Sequence, residues 1–347
     1  MIPLPTLYYF LCYAWNRLPE PATLRATEAT PFQRPLGLLA QLLLHGTRRR
    51  LKAGLPRTFG ARQEELTSLR GRIELAPTLG RGLLARGRAV CSFEDLSADS
   101  PLHRLIVQTL STLARAAALP GALRRELRQV RQQFPAALAA GLGSAPPTAA
   151  TFRELRRQRP DSQAAFLLHV CELVWQSALP EPTARGRSRF RDFRCDEVLM
   201  ARLFEQFTRN FFRREQRHYR VYAETIPWQA QAGQPADLAL LPTMLTDTTL
   251  DAPDRKIILD TKYYAAALRP RYDRQRLIAP HLYQLYAYLQ NQHPAPGQEL
   301  AGILLYPAAA QAVDLRYTLG GHPVRVVTLN LYQPWPGIAA DLLGLIA

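Results

Sequence analysis

Lysine is scarce in this chain. Lysine and arginine together account for 44 of its 347 residues, yet only three of them are lysines, namely Lys52, Lys256 and Lys262. Almost all positive charge is therefore carried by guanidinium groups, which stay protonated in proteins and differ in geometry from an amine. A lysine inside a chemical motif consequently carries more information here than it would in a lysine-rich protein.

Paired cysteines and long apolar runs are also missing. The four cysteines have no CxxC spacing, which argues against a disulfide framework or a zinc knuckle and fits reduced cytosol. The apolar N-terminal stretch, residues 1–15, is too short to span a bilayer and has no basic segment before its apolar run. We therefore expect a cytoplasmic protein with no membrane partner, whose N-terminus enters a core as a strand or helix.

A phosphate-binding loop of the GxxxxGK[ST] type does not occur, so we do not expect this chain to bind a nucleotide itself. The composition does contain 47% hydrophobic residues, enough for real cores, and a net charge of +16. The natural partner of such a basic surface is a polyanion. A membrane surface is less favoured because no basic helix has a clear apolar anchor face. An arginine-rich composition with no specific ligand is the remaining explanation.

The most informative motif is the run Ile257 to Lys262, in which an apolar strand pattern ends in Asp260-Thr261-Lys262. Because side chains alternate along a strand, Asp260 and Lys262 are expected on one face and Thr261 on the other. With 28 acidic residues and three lysines, chance would give roughly 0.2 Asp/Glu-x-Lys matches. A structural ion pair at the strand end is the alternative interpretation.

Two upstream carboxylates could complete a metal site with Asp260. Asp247 lies beyond a turn-like stretch, and Asp237 lies in a strand-like segment. Carboxylate oxygens bind Mg²⁺, which acts as a Lewis acid on a phosphate, and a lysine supplies a positive donor for the attacking water or the charge that develops on phosphorus. The pattern thus predicts a metal-dependent phosphodiesterase.

The order of the elements predicts two domains and an α+β or mixed α/β fold. The N-terminal domain is expected to consist of short strands and helices, among them a helix over 36–44 that ends at Gly46. From residue 196 onward, a helix over 198–215 precedes strand candidates and a second helix, which suits a central mixed sheet flanked by helices. The strand candidates are 219–222, 237–241, 256–259, 302–306 and 324–329. We place the domains at 1–155 and 156–347.

Polar residues on the helices before and after this motif are further site candidates. Gln284 and Tyr288 are separated by four residues in the helical segment 281–289 and so share a face. In PD-(D/E)xK nucleases that have such a helix after the lysine strand, this pair lies beside the active site. Glu205 on the preceding helix is an additional ligand candidate, although a solvated helix face is the simpler explanation for it.

Taken together, these segments resemble the McrC subunit of McrBC-type, modification-dependent restriction systems, whose nuclease part belongs to the PD-(D/E)xK superfamily. The resemblance runs nearly end to end, and its order and spacing are hard to obtain by chance. The segments that carry it are 2–16, 69–82, 93–110, 190–197, 240–250, 256–264, 281–289 and 302–307.

The resemblance implies a site. In the family the upstream carboxylate follows an LLPxM element, which selects Asp247 over Asp237. It therefore implies Asp247, Asp260 and Lys262 as the catalytic set, with Asp247 and Asp260 as metal ligands and Gln284 and Tyr288 in support. The implied cofactor is Mg²⁺, with Mn²⁺ as a substitute.

The resemblance also implies partners. McrC-like proteins are endonuclease subunits that work with McrB, a GTP-hydrolysing AAA+ hexamer that reads methylated cytosine in double-stranded DNA. The N-terminal domain would dock to that ring and stimulate its GTPase, and an arginine supplied in trans can stabilise phosphoryl transfer. Candidates are Arg25, Arg34 and the run Arg48–Arg50, for which solvated surface or contact with DNA phosphates is the alternative.

Two other functions compete with an endonuclease subunit. One is an assembly and activation factor whose nuclease fold only binds DNA, which the intact set of Asp247, Asp260 and Lys262 argues against. The other is a stand-alone repair-type nuclease, which the long N-terminal part without a catalytic motif argues against.

Overall fold

A computed structural model describes residues 2–19, 34–136, 138, 145–180, 188–264, 267–271, 274–308 and 312–347. The chain forms two compact units. The terminal unit combines Met1–Leu38 with Asp192–Ala347, and the middle unit is Leu39–Arg191. Among the described helices, none combines the length and the apolar character that crossing a bilayer requires.

The middle unit is mainly helical. Its helices are α2 (Pro35–Lys52, which begins in the terminal unit), α3 (Leu75–Gly80), α4 (Pro101–Arg115), α5 (Gly121–Gln132), α6 (Ala149–Arg157) and α7 (Ser162–Ser177). A small antiparallel sheet has the order β1–β3–β2, and a separate two-stranded ladder joins β4 to β5. These strands are β1 (Thr58–Leu66), β2 (Arg72–Ile73), β3 (Ala89–Ser97), β4 (Ala178–Pro180) and β5 (Ser188–Phe190).

Helix α2 does not end at Gly46, as the sequence suggested, but continues for six more residues. The glycine serves packing instead of termination. A Cβ at Gly46 would lie 2.7 Å from Cδ2 of Leu167 in α7, and Gln163 donates a hydrogen bond to the Gly46 carbonyl over 3.1 Å. The two helices therefore approach more closely than a larger residue at position 46 would allow.

The terminal unit contains a six-stranded mixed sheet of order β14–β15–β13–β10–β9–β6. β10 runs parallel to β13 and antiparallel to β9, and β13 runs parallel to β15. These strands are β6 (Arg220–Tyr222), β9 (Thr248–Asp251), β10 (Arg255–Thr261), β13 (Glu299–Pro307), β14 (Asp314–Leu319) and β15 (His322–Leu329). Short ladders join β7 (Thr225–Ile226) to β8 (Met244–Leu245) and β11 (Leu268–Arg271) to β12 (Arg274–Leu277).

Helices complete the terminal unit. They are α1 (Leu4–Ala14), α8 (Glu197–Glu215), α9 (Ala279–Gln290) and α10 (Trp335–Leu343). Helix α9 packs on the sheet through Leu285 and Leu289, and Gly302 in β13 leaves room for both, since a Cβ there would lie 3.0 Å from each leucine. The expected mixed α+β fold, with a central mixed sheet and flanking helices, is confirmed.

The contacts do not follow the expected boundary between residues 155 and 156. Helix α6 crosses that boundary, and residues 156–191 belong to the middle unit. The N-terminal helix α1 belongs to the terminal unit, because its Phe10 ring stacks on Phe207 of α8 with centroids 4.8 Å apart. The apolar N-terminus thus enters a core as a helix, whereas the docking role of the N-terminal part stays a prediction.

The strand expected at 237–241 is wrong. Residues Pro235–Leu240 form a 3-10 helix, and Leu240 is 83% exposed. An alternation of apolar and polar residues predicts a strand only where a second strand covers it, and this segment lies on the surface.

Candidate active site

The site is built around the end of β10, which lies between β9 and β13 in the sheet. The aliphatic residues Ile257, Ile258 and Leu259 are fully buried, as their β-branched and apolar character leads one to expect for an inner strand. Asp260 continues this strand and is itself 0% exposed. Lys262 follows the last strand residue and remains anchored by its backbone N–H, which donates to the Leu305 carbonyl over 2.9 Å.

Asp247 reaches the same place from the neighbouring strand. It precedes β9, whose first residue Thr248 pairs with Leu259 of β10. The Asp247 Oδ2 atom accepts two hydrogen bonds from Thr261, one from the backbone N–H at 2.8 Å and one from Oγ1 at 2.7 Å. The expectation that Thr261 faces away from the site is therefore wrong. β10 ends at this residue, and its hydroxyl holds the Asp247 carboxylate.

The environment of the Asp260 carboxylate disfavours its charged form. Burial, reinforced by the negative charge of Asp247, raises the pKa of Asp260 to about 7, although the nearby Lys262 ammonium opposes this shift. Lys262 Nζ lies 2.7 Å from Asp260 Oδ2 as an ion pair. Within the described ranges no other donor reaches either Asp260 oxygen. A buried carboxylate with so few donors is suited to a cation.

A chain of hydrogen bonds leads from Lys262 into α9. Lys262 Nζ donates to Gln284 Oε1 over 2.8 Å, and Gln284 Nε2 donates to the Tyr288 hydroxyl over 2.7 Å. The Tyr288 hydroxyl in turn donates to the Leu245 carbonyl over 2.9 Å. The helical spacing of Gln284 and Tyr288 thus does bring both residues to the lysine, and the chain ends two residues before Asp247.

A cavity of about 380 Å³ opens beside these groups. It is lined by Glu197, Val198, Ala201, Arg202, Glu205, Asp247, Thr261, Lys262, Tyr263 and Tyr264. Glu205 therefore belongs to the cavity wall and not to a remote solvated face. Burial and the charge of Asp247 raise its pKa, whereas Arg209 and Lys262 lower it. Asp237, by contrast, is exposed in the 3-10 helix and does not line this cavity.

Arg209 is a site residue that the sequence did not reveal. It follows Glu205 by one turn of α8, and its Nη1 lies 3.0 Å from Glu205 Oε1. The same atom donates to the main-chain carbonyl of Asp247 over 2.6 Å. Amphipathic spacing places Arg209 on a helix, but only the tertiary fold shows to which main-chain oxygen it donates a hydrogen bond.

The residues present fit a divalent cation. In the part of the chain that the structure describes, no group of three or more His, Cys, Asp or Glu side chains is arranged to hold a metal ion. Mg²⁺ needs fewer, since it keeps several waters and is commonly held by one or two carboxylates together with substrate phosphates. The Asp260 carboxylate and the Asp247 oxygen that Thr261 leaves free would supply these.

Two of the arginines that are candidates for partner contacts have acidic partners inside the chain. Arg48 forms an ion pair with Glu126 at 2.8 Å, and the buried Arg50 forms one with Asp161 at 3.2 Å. Arg50 Nε also donates to His103 Nε2 over 3.3 Å. Arg25 lies outside the described residues.

The mixed sheet with flanking helices is the fold expected of a restriction-endonuclease-like domain, and the Asp, Asp-x-Lys and Gln-x-x-x-Tyr groups meet at one strand end, as the resemblance implied. Residues 6–307 match the family described as McrBC 5-methylcytosine restriction system component. The chain belongs to this family, and the resemblance noted from its sequence motifs is confirmed.

Two known proteins illustrate the relationship. An Escherichia coli (strain K12) protein, the type IV methyl-directed restriction enzyme EcoKMcrBC, is 30% identical over 345 residues, which are 99% of this chain and 97% of that protein. A chain in the refined half-complex from the tetradecameric assembly of Thermococcus gammatolerans McrB AAA+ hexamers with bound McrC has a TM-score of 0.57. It is 15% identical, with 99% of this chain and 76% of that chain covered. This second likeness concerns the fold.

Proposed function

We propose that this chain is the endonuclease subunit of a GTP-dependent, modification-dependent restriction complex, and that it hydrolyses phosphodiester bonds in double-stranded DNA with Mg²⁺. The observation that carries the proposal is the meeting of Asp247, Asp260 and Lys262 at the end of β10 in a member of the McrBC family. Burying a carboxylate together with a largely enclosed lysine costs desolvation free energy. A purely structural role does not require this cost.

Each side chain has a distinct task in this proposal. Asp260 and Asp247 would hold the cation, which would supply Lewis-acid activation of the scissile phosphate. Lys262, held between Asp260 and Gln284, presents its ammonium group to the attacking water or to the charge that develops on phosphorus. Gln284 and Tyr288 fix the position of that ammonium group through their hydrogen-bond chain.

We further propose that an McrB-like AAA+ GTPase hexamer selects the DNA and that this chain stimulates its GTP hydrolysis. The family membership supports this part, as does the Thermococcus gammatolerans assembly, in which McrC is bound to McrB AAA+ hexamers. The modified base would then be read by the partner.

The test is plasmid cleavage by the wild type and by Asp260→Ala, with and without Mg²⁺, the cognate GTPase with GTP, and methylation of the DNA. We expect cleavage that needs all of these and vanishes in the variant, while stimulation of GTP hydrolysis is retained. Removal of Mg²⁺ with EDTA should abolish cleavage, and Mn²⁺ should restore it.

The other outcomes separate the alternatives. Cleavage by the chain without GTPase would indicate a stand-alone nuclease. Intact stimulation of GTP hydrolysis with no cleavage in any mixture would indicate an assembly factor. Loss of both activities in Asp260→Ala would mean that the site is structural.

A further inference from the structure

The positive charge of this chain is concentrated in one of its two units. The middle unit, Leu39–Arg191, holds 25 Lys and Arg against 11 Asp and Glu, which is +14 of the net +16. The terminal unit holds the remaining 19 basic and 17 acidic residues, a net +2. The unit with the candidate active site is thus nearly neutral, and its cavity is lined by three carboxylates, of Glu197, Glu205 and Asp247, and by two cations, Arg202 and Lys262. An attraction for a polyanion must come mainly from the middle unit.

Within the middle unit, helix α5 carries charge that its own structure does not need. Its four arginines are Arg124, Arg125, Arg128 and Arg131, and its buried face consists of Leu123, Leu127 and Val130. The first turn contains no acidic residue but does contain Arg124, and the N-cap Pro120 makes no side-chain cap hydrogen bond. Positive charge near a helix N-terminus is unfavourable, since the backbone N–H groups there already present partial positive charge.

The arginines of α5 also repel one another. Arg124 and Arg128 are separated by four residues and Arg128 and Arg131 by three, so like charges face each other on the helix surface, which destabilises a helix by a few tenths of a kcal/mol per pair. The one acidic residue of the helix, Glu126, forms an ion pair with Arg48 of α2 at 2.8 Å. Arg125 and Arg128 are exposed. Arg128 Nε donates to the Arg124 carbonyl over 3.3 Å, but within the described ranges neither arginine forms an ion pair with an acidic side chain.

Helix α6 provides a contrast in the same unit. It is also rich in arginine, but Arg156 forms an ion pair with Glu172 at 2.6 Å, and Arg157 lies 3.7 Å from Glu154. Its Thr148 N-cap forms a reciprocal capping box with Thr151. Acidic partners inside the chain therefore account for these arginines of α6, unlike the two exposed arginines of α5. Like-charge repulsion that no acidic residue of the chain offsets points to an anionic partner outside the chain.

We propose that the exposed arginine face of α5, formed by Arg125 and Arg128, binds phosphates of the DNA backbone and anchors the complex to DNA at a distance in sequence from the nuclease residues. The choice of DNA over an acidic protein surface rests on the proposed nuclease function. Guanidinium groups bind phosphates well because their donors match phosphate oxygens in pairs. Such contacts carry no base specificity, which suits a chain whose target is chosen elsewhere.

The experiment compares two double variants of the full chain that lose the same net charge. One is Arg125→Gln with Arg128→Gln, and the control, in the terminal unit, is Arg217→Gln with Arg316→Gln, both of which are exposed. Binding of a fluorescent DNA duplex is measured by anisotropy in EDTA, between about 50 and 200 mM salt. We expect the slope of log K against log salt to fall by roughly 2 in the α5 variant, about 0.9 for each lost phosphate contact, and to stay unchanged in the control.

A third variant, Arg125→Lys with Arg128→Lys, keeps the charge and should retain most of the salt dependence, which separates loss of contacts from loss of fold. Equal slopes in the α5 variant and its control would mean that only net charge matters and would overturn the proposal. So would wild-type DNA binding in the α5 variant together with a loss of GTPase stimulation, since the surface would then dock the protein partner. A wild type that fails to bind the duplex would overturn it as well.

The proposal and the nuclease function can fail separately. Cleavage by the wild type with no contribution of α5 to binding would remove the DNA anchor and leave the nuclease. If binding depends on α5 but the chain cleaves nothing under any condition, the DNA anchor is supported and the nuclease function is contradicted.

Discussion

Nη1 of Arg209 lies 2.6 Å from the main-chain carbonyl oxygen of Asp247 and 3.0 Å from the Glu205 carboxylate. One guanidinium group therefore ties α8 to the segment before β9. It also places a positive charge beside Glu205, whose pKa is raised by burial and by the Asp247 carboxylate. We therefore expect Arg209 to act as a positioning residue, because it contacts the backbone from which the Asp247 carboxylate extends toward Thr261.

The first prediction follows from this contact. Arg209→Gln should weaken Mn²⁺ binding about 10–100-fold, a typical effect of removing an outer partner of a metal ligand. Isothermal titration with Mn²⁺ measures this without reference to cleavage. Arg209→Lys, which keeps the charge but loses the planar fork, should lie between the wild type and the glutamine variant.

The same helix offers a matched control for Arg209. Arg213 also donates to a main-chain carbonyl, that of Val221, over 3.3 Å, and its Nη1 donates to Asn210 Oδ1 over 3.1 Å. Arg213→Gln should cost similar stability but leave Mn²⁺ affinity unchanged. Equal losses of affinity in the two variants would show that Arg209 acts only through the stability of α8.

Thr261 gives the second prediction. Thr261→Val keeps the shape of the side chain and the backbone donor to Asp247 but removes the 2.7 Å hydroxyl hydrogen bond. One such bond is worth about 1.5 kcal/mol to a charged acceptor, so cleavage should fall roughly tenfold. Single-turnover cleavage assays measure this, and Thr261→Ser should remain close to the wild type. Wild-type rates for the valine variant would mean that the backbone N–H alone positions Asp247.

The contacts of Thr261 and Arg209 at the site could not be predicted from the sequence. Alternation along a strand correctly placed Asp260 and Lys262 together, and helical spacing correctly brought Gln284 and Tyr288 to the lysine, because both rules describe regular local geometry. The residue at which a strand ends is not regular, and there Thr261 turned its hydroxyl to Asp247. Arg209 meets a main-chain oxygen 38 residues away, and no side-chain pattern records the position of a backbone carbonyl.

The fold, like the site, has features that sequence periodicity predicts and features that it does not. Periodicity predicted helices α8 and α9 and strands β6, β10, β13 and β15, but it missed β14 and also β9, which pairs with β10. Pro235–Leu240 has a similar composition but no covering strand among the described residues, and it forms an exposed 3-10 helix. The membership of α1 in the terminal unit depends on aromatic packing such as that of Phe10 on Phe207, and these two residues lie far apart in the chain.

Lys256, at the opposite end of β10 from the site, gives a prediction about stability. Its side chain is 10% exposed, and Nζ lies 2.9 Å from Glu224 Oε1 and 2.7 Å from Gln292 Oε1. Lys256→Met should lower the free energy of unfolding by about 2–3 kcal/mol, because it leaves the mostly enclosed Glu224 carboxylate without its counter-charge. Urea denaturation measures this loss. Adding Glu224→Gln should recover at least half of it, and failure to recover would mean that the methionine itself packs poorly.

Lys262 gives the most direct prediction about chemistry. Its ammonium group lies between Asp260 Oδ2 at 2.7 Å and Gln284 Oε1 at 2.8 Å, and its side chain is 14% exposed. Lys262→Arg keeps the charge, but a planar guanidinium is larger and more weakly hydrated and cannot occupy the same point between these two oxygens. Cleavage in the complex with its GTPase partner should therefore fall at least about 100-fold, the loss typical of removing one preorganised donor. Stimulation of GTP hydrolysis should persist, and the exposed Lys52→Arg in α2 should behave as the wild type in both assays. Near-normal cleavage by Lys262→Arg would assign the lysine to the support of Asp260 and remove it from the reaction.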